Sequence, residues 1–246
     1  MTHSTSRTLS VTAVLMLAAA WLLSGCIGPM TIHARGPDVE QRYALGELER
    51  ASFSGRGDVR LVPSNESVLV VSAPQNILDV LDIEVRQGRL NAGPRHGVRL
   101  SHTTPAPVYT LYVNELERLD FSGSMVVHAD QLNTHSLRLS GSGAVKGDLR
   151  VNVSELSIHG SGSVDLTLTG QTDTLDVHGS GAVRLDATDL LARSVELYSS
   201  GSAHVSVWAE ESLKVHSSGS TRVRYRGQPL VSQSISGSSS VEALDD

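Results

Sequence analysis

From Phe121 onward the chain alternates apolar and polar positions with a period of two, and the alternation restarts at a small corner rich in Ser and Gly. Each restart carries an apolar anchor, the corner, then an aliphatic, a polar residue and another small or aliphatic residue. It reads FSGSMVVHA from Phe121, LSGSGAVKG from Leu139, IHGSGSVDL from Ile158, VHGSGAVRL from Val177, LYSSGSAHV from Leu197, VHSSGSTRV from Val215 and ISGSSSVEA from Ile235. An earlier copy, FSGRGDVRL, begins at Phe53. Around one corner Leu175, Val177, Val183 and Leu185 point one way while Asp176 and Arg184 point the other. That is the periodicity of strands, and no 3.6-residue helical pattern competes with it. The later anchors recur every 18 to 20 residues, enough for two or three short strands and their turns. Such a unit is one coil of a solenoid, and stacking pairs each strand with its equivalent in the next coil, about 4.8 Å away and parallel. The pattern predicts an all-β protein, a parallel β-helix (β-solenoid) with coils of about 18–20 residues.

Stacking turns equivalent positions into columns. Counting from the anchors, the inward column after the corner is Val127, Val145, Val164, Val183, Ala203, Thr221 and Val241, and Ser124, Ser142, Ser161, Ser180, Ser200, Ser218 and Ser238 run through the corner's centre. Glycines flank the serines because a corner repeated at strand spacing is expected to need positive φ and close backbone approach. Before Phe121 the repeat is irregular: Pro74, Pro94, Pro105 and Pro107 interrupt it, and residues 91–107 read as a loop. Residues 43–120 are therefore expected to form an irregular lead-in that caps one open end, with regular repeats over 121–243. The Asp245-Asp246 tail is placed to discourage stacking at the other end.

Composition agrees with a narrow interior. Only 4% of the 246 residues are aromatic, against 22 Gly, so the core must be aliphatic. The 20 basic and 26 acidic residues give a net charge of −6 without blocks of either sign, which argues against a nucleic-acid partner. A single cysteine excludes an intrachain disulfide and a Cys-based zinc site.

That cysteine has a specific setting. Arg7 precedes an apolar run from Leu9 to Leu23, and Leu23-Ser24-Gly25-Cys26 resembles the lipobox of bacterial lipoproteins. The resemblance implies a signal peptide over 1–25, lipidation of Cys26 and a tether over 26–42. An uncleaved anchor from Thr8 to Ile32 is long enough to span a bilayer, but Gly25, Gly28 and Pro29 interrupt it. Ile27, where an aspartate would hold an enterobacterial lipoprotein at the inner membrane, favours the outer membrane by analogy.

The iterated S-G-S-G-x-V corners resemble the putative auto-transporter adhesin family with a head GIN domain. So does the lead-in, with Val68-Leu69-Val70-Val71, the Leu81 to Val85 alternation, Gly88-Arg89-Leu90 and Val108 to Val113 in order. The resemblance covers 43–243 and implies a right-handed parallel β-helix in a bacterial envelope protein, with no catalytic residues and no cofactor.

Candidate chemistry is sparse. His159, His178, Tyr198 and His216 fall in one column after the anchors, with Ser140 and Ser236 at its ends. They form either a contact strip for a glycan or envelope polymer or a simple ladder of stacked rings, and the set lacks the carboxylate or thiol that would favour a metal. The outward column Arg60, His128, Lys146, Asp165, Arg184, His204, Arg222 and Glu242 reads as cross-strand charge pairs. Arg56-Gly57-Asp58 fills the first repeat's corner and reads as structural, not as an integrin-type motif. The reading is a non-enzymatic, lipid-anchored surface-interaction module, with a self-associating scaffold or, less favoured, a carbohydrate-active enzyme as alternatives.

Overall fold

The computed structural model describes residues 29–244; Cys26, the apolar segment before it and Asp245-Asp246 lie outside the described residues. Fourteen strands share one continuous sheet that winds on itself. The N-terminal part holds β1 (Met30–Ile32), β2 (Asp38–Ala44), β3 (Arg50–Pro63), β4 (Val68–Pro74), a helical turn at Gln75–Leu78, β5 (Leu81–Arg86), β6 (Arg89–Pro94), β7 (Val98–Leu100) and β8 (Val108–Val113). The coils follow as β9 (Arg118–Gly141), β10 (Ala144–Gly160), β11 (Ser163–Gly179), β12 (Ala182–Ser199) and β13 (Ser202–Ser217). A last coil is divided into β14 (Ser220–Arg226), β15 (Leu230–Ile235) and β16 (Ser240–Ala243).

Each of β10 to β13 is most of one coil, and all pair parallel with their successors, as the repeat predicts. In β10 the inward residues Val145, Leu149, Val151, Val153, Leu156 and Ile158 are buried. The alternation slips at Ser154-Glu155, where two successive residues face out and the chain turns. β10 and β11 stay in register from Ala144 opposite Ser163 to Gly160 opposite Gly179. Where neighbouring coils differ in length the slips fall on the far side, at Leu149/Val151, Thr167/Thr169, Ala187/Leu191 and Ala192/Ser194, never between the anchors and the corner.

The first and last coils are offset from the columns counted on the sequence. Met125, not Val127, stands beside Val145, and Val127 stands beside Gly147. The anchor residues explain this: Arg138 N–H donates to Glu117 O and Ser142 N–H to Phe121 O, which sets Leu119 beside Leu139 and Phe121 beside Gly141. At the other end Val241 lies beside Val223 and Glu242 beside Arg224, so neither continues its expected column. Arg60 and His128 face each other but belong to a row apart from Lys146, which pairs with Val126. The serine column is consequently Ser122, Ser142, Ser161, Ser180, Ser200, Ser218 and Ser236, with Ser54 opposite Ser122, and it omits Ser124 and Ser238.

The corner glycines owe their identity mainly to close approach. From Phe121 on, only Gly123 and Gly237 among them have positive φ. A Cβ built on Gly162 would sit 2.1 Å from Gly143 O, and one on Gly181 would sit 2.1 Å from Gly162 O. No carbonyl in a hydrogen-bonded ladder can yield that much space.

The lead-in caps the solenoid with antiparallel pairing, β2 on β4, β4 on β8 and β5 on β6, while β3 lies parallel to β8 and β9. Residues 30–42, expected within the tether, carry β1 and most of β2, and the expected 91–107 loop contains most of β6 and all of β7. The few buried rings gather here: Phe53 stacks on Phe121 at 6.1 Å, and Tyr109 tilts against Phe53 at 5.5 Å. Among the described residues no helix is long and apolar enough to cross a membrane.

Candidate functional site

On each coil the strand entering the corner presents two outward side chains before the corner serine. At positions 157, 176, 196 and 214 these are Ser, Asp, Glu and Lys, and two residues later they are His159, His178, Tyr198 and His216. Parallel register stacks the rings: His159 on His178 at 4.7 Å and 3°, His178 on Tyr198 at 4.8 Å and 8°, Tyr198 on His216 at 4.9 Å and 9°. The spacing is that of the strands, within the range of offset aromatic stacking. Ser140 continues the column at one end as expected; at the other end the neighbour of His216 is Ser234, not Ser236, because β15 is offset by two.

Side chains two residues upstream hold two of the rings. Ser157 Oγ lies 2.9 Å from His159 Nε2. The Tyr198 hydroxyl donates to Glu196 Oε1 at 2.5 Å, and the same oxygen is 4.0 Å from His216 Nε2. These partners were missed in the sequence, although the signal was present: strand periodicity puts residues i and i−2 on one face. Burial lowers the His159 pKa below the ordinary histidine value, helped by His178 and the guanidiniums of Arg138 and Arg118, with Asp176 opposing. The hydrogen bond to Glu196 is the chief reason that Tyr198 is raised above the ordinary phenol value.

The rings form one wall of a groove of about 960 Å³ that runs along the solenoid axis. The opposite wall is the serine column, and between them lies a floor of Phe121, Gly141, Gly160, Gly179, Ser199, Ser217 and Ile235. Glycine is needed at the floor's centre because the chain dents towards the core there: a Cβ on Gly160 would meet Val164 and Val183 methyls at 3.1 and 3.0 Å. Where the floor carries Ser199 and Ser217, the neighbouring core positions are Ala203 and Thr221 in place of Val, and Ser217 Oγ donates to Thr221 Oγ1 at 2.8 Å.

The arrangement suits contact along a line and does not suit metal capture. Stacked imidazoles with planes 3° apart aim their lone pairs side by side, whereas zinc needs donors converging at about 2.0–2.1 Å. Among the described residues no three potential metal ligands gather. The other candidates are structural. Arg56 Nη1 donates to Ser101 O at 3.0 Å and also to Thr104 O, pinning the loop beyond β7, and Asp58 lies 3.5 Å from Arg60. The tripeptide they bound runs within β3, with Gly57 buried against Tyr109. In the outward charged row Arg184 approaches Asp165 at 3.7 Å, an exposed pair of small consequence.

A parallel β-solenoid with an axial groove is thus the class of protein defined. The family model described as putative auto-transporter adhesin, head GIN domain, matches residues 49–229, and the chain belongs to this family. The fold is shared with a putative adhesin from Bacteroides fragilis, at 21% identity and TM-score 0.80, over 87% of this chain and 100% of that one. It is shared too with a putative lipid binding protein from Parabacteroides distasonis (23%, TM-score 0.69, 87% and 100%) and a putative adhesin from Parabacteroides merdae (18%, 0.65, 88% and 100%). No curated protein matches the chain in sequence.

Proposed function

We propose that this protein is a non-enzymatic, lipid-anchored adhesion module of the bacterial envelope that holds a linear glycan lengthwise in its axial groove. The observation that carries the reading is the unbroken ring stack from His159 to His216 facing a column of serine hydroxyls across a backbone floor. Ring faces pack on the apolar faces of sugars, and serines supply hydrogen bonds at each step. Because every coil offers a similar shallow site, weak contacts add through effective concentration. Catalysis asks instead for unlike groups converging on one point. The column of serine hydroxyls along one wall, which an acyl chain would leave without partners, favours a glycan, although one protein of this fold is described as lipid binding. Membrane attachment through Cys26, and an outer-membrane location, rest on the Leu23-Ser24-Gly25-Cys26 pattern and Ile27.

Glycan-array binding tests the reading. Replacing His159, His178, Tyr198 and His216 by Ser, one at a time and then together, should weaken binding progressively. Binding untouched by the quadruple variant would remove the strip, and turnover abolished by one substitution would reassign the protein as an enzyme. Self-association is a second reading: among the described residues β15 pairs with β13 alone, and its Leu230 is 83% exposed. Sedimentation velocity across a concentration series separates it from a monomer.

A further inference from the structure

The shoulder outside the ring wall changes character along the axis. Beside the rings it carries Ser157, Asp176, Glu196 and Lys214, two of which are engaged with the rings themselves. Towards the N-terminal end the same shoulder carries only arginine. Arg89 lies opposite Arg50, Arg50 opposite Arg118, and the hydrogen bond from Arg138 N–H to Glu117 O sets Arg138 beside Arg118. The wall next to these four is built from short side chains, Asn91, Ser52, Asp120 and Ser140, which line the same groove, so the four arginines stand one outward position beyond its rim.

Like charges on directly opposed strands destabilise a sheet. The compensation in this ladder is slight: Asp120 accepts from Arg118 Nε at 2.8 and 3.0 Å, and among the described residues no ion pair engages Arg50, Arg89 or Arg138. Glu49 and Glu117 stand next to Arg50 and Arg118 in the chain, at the turn before the strand, without closing on them. A row of guanidiniums at strand spacing, each with donors suited to two oxygens, is a receptor for a row of anionic groups. Charge on Arg138 and Arg118 is also felt at His159, so the ladder and the stack are electrically continuous.

We infer that the ligand of the groove is an acidic glycan, lying with sugar rings on the His/Tyr stack and carboxylates on the arginine ladder. The inference rests on the groove reading above and adds the ligand's charge and its direction along the axis.

The test uses the full chain in detergent with two probes of one backbone, polygalacturonate and its fully methyl-esterified form. Expected is tighter binding of the acid form by about tenfold or more, falling with salt, since each exposed charge contact is modest and two or more must add. Arg50→Gln with Arg138→Gln should bring the acid form down to the level of the ester while leaving ester binding unchanged. The quadruple ring variant should weaken both. Equal binding of the two polymers by the parent chain, or arginine variants that keep the parent's preference for the acid form, overturns the acidic-glycan inference and leaves the groove reading intact. Binding of neither polymer overturns both. Single-stranded DNA bound as tightly as polygalacturonate would overturn the glycan assignment in favour of unselective anion binding. Unchanged circular dichroism and melting of the arginine variants controls for folding.

Discussion

The floor of the groove makes a quantitative claim about the core beneath it. Gly179 lies where a Cβ would stand 2.9 Å from Val183 Cγ2, while the equivalent pair one coil later is Ser199 with Ala203. Gly179→Ala gains about 0.4–1 kcal/mol from the unfolded chain, because φ there is not in the left-handed region. It loses about 1–3 kcal/mol to overpacking, since Val183 must shift within a buried stack. The net expectation is a loss of about 1 kcal/mol. Val183→Ala removes two buried methyl groups, at about 0.8 kcal/mol each plus a cavity contribution, for a total near 2 kcal/mol. The double variant reproduces the small-on-small pairing found at Ser199 and Ala203. The space vacated by Val183 accepts the new methyl, and the loss in the double variant should fall short of the sum of the two single losses by about 1 kcal/mol or more, well beyond the scatter of independent sites. Urea unfolding followed by circular dichroism, with all four proteins at a common m-value, measures this coupling. Additivity within about 0.3 kcal/mol would refute the packing argument for glycine at the floor.

Other expectations follow from the same geometry. Gly162→Ala drives a Cβ to 2.1 Å from Gly143 O, breaks the Ser163 N–H bond to that oxygen and should cost at least about 2 kcal/mol by chemical denaturation, more than Gly179→Ala. Val183→Asp should unfold the domain or cost several kcal/mol, whereas Arg184→Asp, on the exposed side of the same strand, should stay within about 1 kcal/mol of the parent by thermal melting. Tyr109 buries a hydroxyl without a hydrogen-bond partner, so Tyr109→Phe should raise stability by about 1 kcal/mol, and a loss of that size would mean that the hydroxyl is paired in solution. His159 has a folded pKa below its unfolded value, so the unfolded state binds more protons in acid. Its contribution is complete above about pH 6.5 and is lost as pH falls through the folded pKa; His159→Gln should flatten that acid limb in urea titrations at several pH values. Cys26→Ala should abolish palmitate labelling and leave an unprocessed precursor, and an unchanged mass and membrane partition would exclude lipidation.

The coil period, the parallel stacking and the ring column were legible because each is a one-dimensional signal: equivalent residues at nearly constant spacing. What the sequence hid was register at the ends. Phe121 resembles the anchors Leu139 and Ile158, but its partner on the next coil is Gly141, because Phe53 already fixes it in the cap through ring stacking. A large anchor is thereby moved out of the anchor row into the floor, which runs on to Phe53 and Ala92, while Ile235 closes the other end. The arginine shoulder was invisible for a related reason. Arg50, Arg89, Arg118 and Arg138 are unevenly separated in the chain, and antiparallel pairs within the cap intervene before β6, β3 and β9 align them. Periodicity cannot find a column assembled by crossovers.

The confinement of register slips to the far side of the coils has an evolutionary corollary. Each turn is indexed at the glycine corner, where adjacent backbones leave no slack, and surplus residues spill out opposite, as the pages of a bound book may differ in width while the spine stays flush. Insertions on the outer margin leave the groove's lettering aligned. Duplication or loss of a whole turn lengthens or shortens the groove by one strand spacing without rewriting its neighbours. Copy number alone can therefore set the length of the groove, leaving the chemistry of each rung to drift separately.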